Sequence, residues 1–214
     1  MSEIVKFANE NNVFVKVANI RIYYDEHAGK AEHMKRIKEK DILPEEEIPI
    51  FDYGQSVTIG YQVKLLCALA KMTDGNVFEF GTWGGCTIHN ILPYVKHKVF
   101  TLDSTHHNLK TKMADKRIQY LLGDSTKYDY TPYIGDMSFV FVDGGHDYDT
   151  VKNDTEWAFK LIEGQEKAVI VWHDYQAVND GYDVVKLLDE LSEYIPLNYI
   201  EGSSLVFYQR GLDV

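Results

Sequence analysis

Four residues at the ends of two apolar runs carry the strongest chemical signal in this sequence. Residues 138–142 lead into Asp143-Gly144-Gly145-His146, and residues 168–172 lead into His173-Asp174. Two carboxylates converging above a sheet repel each other unless a cation sits between them. Oxygen donors favour Mg²⁺ or Mn²⁺, and a histidine tilts the choice towards a transition metal. Asp143, His173 and Asp174 are therefore the expected metal ligands. Histidine is also the side chain whose ordinary pKa suits proton abstraction near neutrality. His146, with Asp143, is thus the candidate catalytic pair, taking the proton of an acceptor hydroxyl that a metal would acidify. Blander readings stand beside these. Asp143 would cap the next helix, His173 would be a hydrogen-bonded structural histidine, and His146 would orient the acceptor.

A second cluster surrounds a glycine-rich turn, Glu79-Phe80-Gly81-Thr82-Trp83-Gly84-Gly85-Cys86-Thr87. Glycines there let backbone amides approach a ligand and close a tight turn. A dinucleotide fingerprint needs a second glycine where this chain has Trp83, so NAD and FAD are disfavoured. The turn suits a nucleoside ligand without a pyrophosphate, its amino-acid end against the glycines and the indole packed nearby. Asp103, twenty-two residues after Gly81, is placed to accept hydrogen bonds from ribose hydroxyls. Gly123-Asp124-Ser125 ends a further strand. Cys86 reads as a small packing residue, and His106-His107 has no assigned role.

The elements that must position these residues alternate along the chain. Apolar runs at 77–80, 99–102, 118–122, 138–142 and 168–172 read as strands. Helical spacing at 56–70, 88–95, 151–162 and 181–193, with a short polar helix near 107–115, separates them. Residues 197–200 and 205–208 flank a Glu201-Gly202-Ser203-Ser204 turn and read as a hairpin. Continuous apolar strands alternating with helices imply a parallel sheet covered on both faces. The expected fold is α/β: a doubly wound, mostly parallel, Rossmann-like sheet of seven strands with a C-terminal antiparallel hairpin. Such sheets bind ligands beyond the carboxyl ends of their strands. Residues 55–214 form this domain. Residues 1–54 differ: a charged stretch around 30–40 reads as a surface helix, and Pro44, Glu45-Glu46-Glu47 and Pro49 read as a linker or lid.

Composition narrows the partners. The 214 residues are 45% hydrophobic and 26% charged, which is ordinary for a globular protein. Thirty-three acids against twenty-two bases give a net charge of −11, which repels nucleic acid and anionic membranes. No apolar run is long enough to cross a membrane. Two cysteines suit a reducing compartment, and no secretory signal is visible, so a cytoplasmic location is expected.

These motifs together resemble the class I S-adenosylmethionine-dependent methyltransferases. Glu79–Thr87 is similar to their first motif, Thr101-Leu102-Asp103 to their ribose-binding strand end, and Leu122-Gly123-Asp124-Ser125 to their adenine-side turn. The stretch Phe141-Val142-Asp143-Gly144-Gly145-His146-Asp147-Tyr148, with Asp154, Trp157 and His173-Asp174-Tyr175, resembles the macrolide-sugar O-methyltransferases, and less closely the catechol O-methyltransferases. The resemblance covers about residues 55–208. It implies that Gly81, Thr82, Gly85 and Thr87 surround the methionine portion of S-adenosylmethionine, with Glu79 and Trp83 in the same loop. Asp103 would hold the ribose, and Asp124 and Ser125 would line the adenine. In those relatives a metal-ligating acid stands at 143, a carboxylate pair at 173–174 and a base at 146. This chain departs from them with His173 in the pair.

The resulting expectation is methyl transfer to a hydroxyl of a small polar acceptor, metal-assisted by Mg²⁺ or Mn²⁺. Residues 1–54 would act as a lid or as the contact of a homo-oligomer. A metal-dependent hydrolase on the same fold and a non-catalytic S-adenosylmethionine-binding protein are the alternatives.

Overall fold

The computed structural model describes residues 33–44, 47–50, 60–105, 115–175 and 182–212. The expected helix near 107–115, His106-His107 and the first 32 residues lie outside these ranges.

Eight strands form one sheet: β1 (Lys35–Ile37), β2 (Asn76–Phe80), β3 (Val99–Asp103), β4 (Ile118–Leu122), β5 (Met137–Val142), β6 (Ala168–Trp172), β7 (Asn198–Ile200) and β8 (Val206–Arg210). Their order is β1-β7-β8-β6-β5-β2-β3-β4. All neighbours are parallel except β8, which runs antiparallel to both β6 and β7. The mostly parallel sheet and its C-terminal hairpin match the expectation, with one strand more than the seven anticipated.

The extra strand is β1. Its residues Lys35 and Arg36 are exposed and only Ile37 is buried, so its sequence carries no strand period. It is held by main-chain bonds, Lys35 N–H to the Leu197 carbonyl at 3.1 Å and Glu201 N–H to the Ile37 carbonyl at 2.9 Å. Short edge strands bearing lysine or arginine resist further pairing, which explains the charged composition. Where a surface helix was expected, the chain therefore forms this strand and then one helical turn, α1 (Glu39–Ile42).

Four further helices cover the faces: α2 (Gly60–Lys71), α3 (Cys86–Ile91), α4 (Tyr148–Leu161) and α5 (Val184–Ser192). Alternate strand residues point to opposite faces. Phe78, Phe80, Val140, Ile170 and Trp172 meet Val151, Ala158, Leu187 and Leu191 of α4 and α5. Val77, Phe139, Phe141, Val169 and Val171 meet Leu65, Leu66, Leu69 and Ile88 of α2 and α3. Both faces of β5 and β6 are thus fully buried, and truncating a central phenylalanine to alanine costs about 3–5 kcal/mol. Among the described residues no helix is long and apolar enough to cross a membrane.

From β2 the chain winds outward to β3 and β4, then crosses back to β5 and β6 on the other side. The carboxyl ends of β2 and β5 flank that reversal, and the polar strand ends gather there.

Candidate active site

A cleft of about 650 Å³ opens at the carboxyl ends of β2 to β6. Its first wall is the β2–α3 turn. Gly81 has a φ of +87°, and a Cβ there would lie 2.0 Å from the Asp143 carbonyl oxygen, so only glycine lets the ends of β2 and β5 come together. Trp83 also has a positive φ, +43°, and is 53% exposed at the cleft edge. Gly85, at φ +77°, forms the N-cap of α3 and stands behind the cleft, whereas Glu79, Gly81, Thr82, Trp83 and Thr87 line it.

Acids pin this turn. Asp103, at the end of β3, accepts the amides of Thr82 (3.0 Å) and Trp83 (2.8 Å) on Oδ2 and that of Thr105 (3.0 Å) on Oδ1. Its weakest contact is the Ser104 hydroxyl at 3.5 Å on Oδ1. Glu79 is buried, and its Oε2 accepts the Thr101 hydroxyl at 2.6 Å. Burial pushes its carboxyl well above the usual range, opposed by the Thr101 bond and reinforced by the charges of Asp143 and Asp103. Asp124 and Ser125 also line the cleft. Both Asp124 oxygens are engaged within its own turn, by Lys127 at 2.6 Å and by the Thr126 amide and hydroxyl. These contacts lower its pKa to about 2.

The far end of the cleft holds the four residues singled out for chemistry. Asp143, His146 and Asp174 each place a ligand-capable atom within 4.8 Å of the others. His146 Nε2 lies 2.8 Å from Asp174 Oδ2, and Tyr182 stacks on its ring at 4.2 Å. The Asp183 amide donates to the His146 carbonyl at 2.8 Å. His173, only 7% exposed, sits behind them. Its Nδ1 lies 3.1 Å from Asp143 Oδ1 and 3.0 Å from Asp174 Oδ1. Neither approach has hydrogen-bond geometry, so the attraction is ionic. Its Nε2 pairs with Gln62 Oε1 at 3.0 Å, and Gln62 also accepts the Ser204 hydroxyl at 3.1 Å.

Electrostatics follow from this placement. Burial works to lower the His173 pKa, but the two carboxylates win and lift it to about 10. Burial works to raise Asp174, and the two histidines instead hold it well below the usual carboxylate range. Asp174 has a φ of +62°, left-handed for a residue with a Cβ, so strained backbone occurs at both ends of the cleft.

The set that closes on a common point is thus Asp143, His146 and Asp174, with His173 behind as a cation bridging the two acids. The helix-cap alternative for Asp143 does not hold. Asp147 is the N-cap of α4, its side chain accepting the Thr150 amide at 3.1 Å. Gln62 and Tyr182 were not anticipated. Gln62 had a faint sequence signal, a polar residue beside Val63 near the start of α2. Tyr182 had none, since only its approach to His146 in space gives it meaning.

Residues 65–175 match a protein family described as Methyltransferase domain. No curated protein matches the chain. Among solved structures, the S-adenosylhomocysteine-bound methyltransferase PaMTH1 of Podospora anserina is similar at 14% identity and a TM-score of 0.50, over 76% of this chain and 81% of that one. Spermidine synthase of Thermotoga maritima is similar at 13% identity and a TM-score of 0.50, over 71% of this chain and 59% of that one. A Bacillus halodurans protein aligns at 20% identity and a TM-score of 0.45, over 59% of this chain and 57% of that one. The chain thus spans under two thirds of the Thermotoga and Bacillus proteins, and at these identities the likeness is one of fold. The family match covers more than half of the 214 residues, and with the doubly wound sheet it places this chain in the methyltransferase-domain family.

Proposed function

We propose that the protein transfers the methyl group of S-adenosylmethionine to a hydroxyl of a small polar acceptor, of the sugar or natural-product kind. The observation that carries this reading is the His146–Asp174 contact at 2.8 Å, at the opposite end of one cleft from the Asp103-braced glycine turn. The turn suits a nucleoside with an amino-acid tail, and Asp103 and Glu79 suit its hydroxyl and amine donors. The displacement is in-line, so the protein's work is to position the acceptor oxygen and remove its proton. Asp174 orients the His146 ring, Tyr182 fixes its plane, and His173 keeps the paired acids charged. The proton passes from the acceptor hydroxyl to His146 as the oxygen attacks the methyl carbon and the methyl–sulfur bond breaks, its electron pair staying on sulfur to leave S-adenosylhomocysteine.

A metal-assisted variant rests on the same residues. Asp143, His146 and Asp174 would hold Mg²⁺ or Mn²⁺, which would acidify the acceptor hydroxyl. Their donor types and spacing fit such an ion, while His173 already supplies positive charge there. Both free thiols are buried, which accords with a reducing cytoplasm.

The test uses S-adenosylmethionine labelled in its methyl group and a panel of sugar and phenolic hydroxyl acceptors, with and without chelator. Label should reach a hydroxyl. Transfer that survives chelation supports histidine as sufficient base, and transfer restored only by Mg²⁺ or Mn²⁺ supports the metal. Tight binding of S-adenosylhomocysteine without transfer to any acceptor would favour a non-catalytic binding protein.

A further inference from the structure

Asp174 carries the contact to His146, yet its backbone is left-handed, a conformation that a residue with a Cβ keeps only where its surroundings impose it. The residues on either side supply the constraint. After it, the Tyr175 amide donates to the Ser204 carbonyl at 3.0 Å, and the Tyr175 hydroxyl donates to Asp189 Oδ1 at 2.6 Å. Before it, His173 Nε2 pairs with Gln62 Oε1 at 3.0 Å, and the Ser204 hydroxyl donates to the same oxygen at 3.1 Å. Ser204, in the turn between β7 and β8, thus fastens both neighbours of Asp174, one directly and one through Gln62.

Gln62 is the pivot of this arrangement. It is buried beside Val63, Leu65 and Leu66, where an apolar side chain would carry none of the cost of desolvating an amide. It does not line the cleft, so it meets no ligand itself. An amide oxygen only accepts, so the ring nitrogen opposite it carries a proton and donates. That bond turns the His173 ring to aim its other nitrogen, Nδ1, between Asp143 Oδ1 and Asp174 Oδ1. With Oδ1 facing His173, Asp174 presents Oδ2 to His146. One chain of contacts therefore runs from Ser204 through Gln62, His173 and Asp174 to the candidate base.

We propose that Gln62 is a positioning residue for the methyl transfer, fixing the His173 ring and through it the Asp174 carboxylate that orients His146, with Ser204 as its anchor. The inference rests on the reading of His146 as the base. A small shift of Asp174 would turn the His146 ring away from the acceptor hydroxyl, and misplacement of this kind acts on the chemical step rather than on cofactor binding.

Two measurements test this: methyl transfer from labelled S-adenosylmethionine to the hydroxyl acceptor the wild type uses best, and proton NMR of His146. Gln62→Leu should lower kcat by on the order of 10- to 100-fold, while KM for S-adenosylmethionine changes by less than about threefold. Gln62→Glu, which keeps an acceptor oxygen in the same place, should recover most of that loss. Ser204→Ala leaves Gln62 but removes its anchor, so kcat should fall by a smaller factor, about 3- to 10-fold. It decides the matter if Gln62→Leu does not fold. The NMR readout needs no acceptor. The His146 ring lies 4.2 Å from that of Tyr182, so its ring protons should be shifted upfield in wild type, less so in Gln62→Leu, and as in wild type in Gln62→Glu. Wild-type kcat or an unmoved His146 signal in Gln62→Leu would overturn the positioning role, as would equal losses in the leucine and glutamate variants. If label reached no acceptor while the His146 signal responded as expected, the methyl-transfer reading would fall and the positioning contact would stand.

Discussion

The two ends of the cleft hold their acids by different means. At the nucleoside end, Asp103 takes three backbone amides within about 3 Å, and Asp124 takes the amide and hydroxyl of Thr126 and the Lys127 ammonium within its own turn. At the reactive end, Asp143 and Asp174 are balanced by two histidines, one brought from the β5–α4 turn and one from the end of β6. These donors, amides, a hydroxyl and an ammonium, keep their protons through the ordinary pH range, so the geometry of the cradle depends little on pH. Ion pairs make a site whose charge is tied to His173, the cation between the two acids. The difference is what the proposed division of labour, binding at the first end and proton transfer at the second, would need.

The largest effect should come from breaking the reactive end at its base. His146→Ala should lower turnover by roughly 10²- to 10⁴-fold while S-adenosylhomocysteine affinity stays nearly unchanged. A variant keeping more than about a third of wild-type turnover would remove the general-base role, and a parallel loss of affinity would mean the two ends are not separate.

Next is His173. Removing one partner of a buried charge cluster typically costs about 3–5 kcal/mol, because the remaining charges stay buried and unpaired. His173→Gln should approach that value in urea denaturation. The pH dependence has a definite sign. His173 has a folded pKa raised to about 10, so its stabilisation is complete below about pH 6.5 and is lost as pH climbs towards 10. Asp174 is lowered, so its contribution holds above the usual carboxylate range and is lost in acid. Asp154, raised to about 6, and buried Glu79, raised well above the usual range, act in the opposite sense to Asp174, so the difference between wild type and His173→Gln on the alkaline limb is the test. Chelator-treated wild type should lose stability between pH 7 and 10, and His173→Gln should lose much less over that range.

The same contrast separates what the sequence could say from what it could not. At the nucleoside end Gly81, Asp103 and the Gly123–Ser125 turn each follow a strand, so reading the strands was enough to bring them to one edge of the sheet. Likewise the buried runs of β5 and β6 were readable because both faces are covered. The reactive end depends on distance in space. Asp143, His146, His173 and Asp174 were visible as strand-end residues, yet which histidine completes the Asp143–Asp174 set follows from ring placement. Gln62, 111 residues before His173, and Tyr182 enter only through the fold. β1 escaped for a related reason: three residues held by main-chain bonds leave no side-chain period to read.

A smaller effect probes the nucleoside end. Asp103→Ala removes the acceptor of three amides and of any ribose hydroxyl. It should weaken S-adenosylhomocysteine binding by about 1.5–3 kcal/mol, with turnover at saturating cofactor much less affected. Unchanged affinity would sink the ribose assignment.

The smallest expected change concerns strain. Trp83 and Asp174, one at each end, are the described non-glycine residues with positive φ. At Asp174 strain and charge cannot be separated by substitution, but at Trp83 they can, because the indole is half exposed and carries no charge. A left-handed conformation costs a bulky residue about 1–2 kcal/mol. Glycine relieves that cost and gives back up to about 1 kcal/mol through its freer unfolded chain. Alanine keeps the strain and loses the indole's packing. Trp83→Gly should therefore be within about 1 kcal/mol of wild type, and more stable than Trp83→Ala by about 0.5–1 kcal/mol. Both should bind S-adenosylhomocysteine more weakly if the half-exposed indole, which lines the cleft, covers the ligand as proposed. If alanine proved as stable as glycine, the turn would carry no strain, and the nucleoside end would be rigid through its hydrogen bonds alone. If stability fell in both while affinity held, Trp83 would belong to the fold and not to the site.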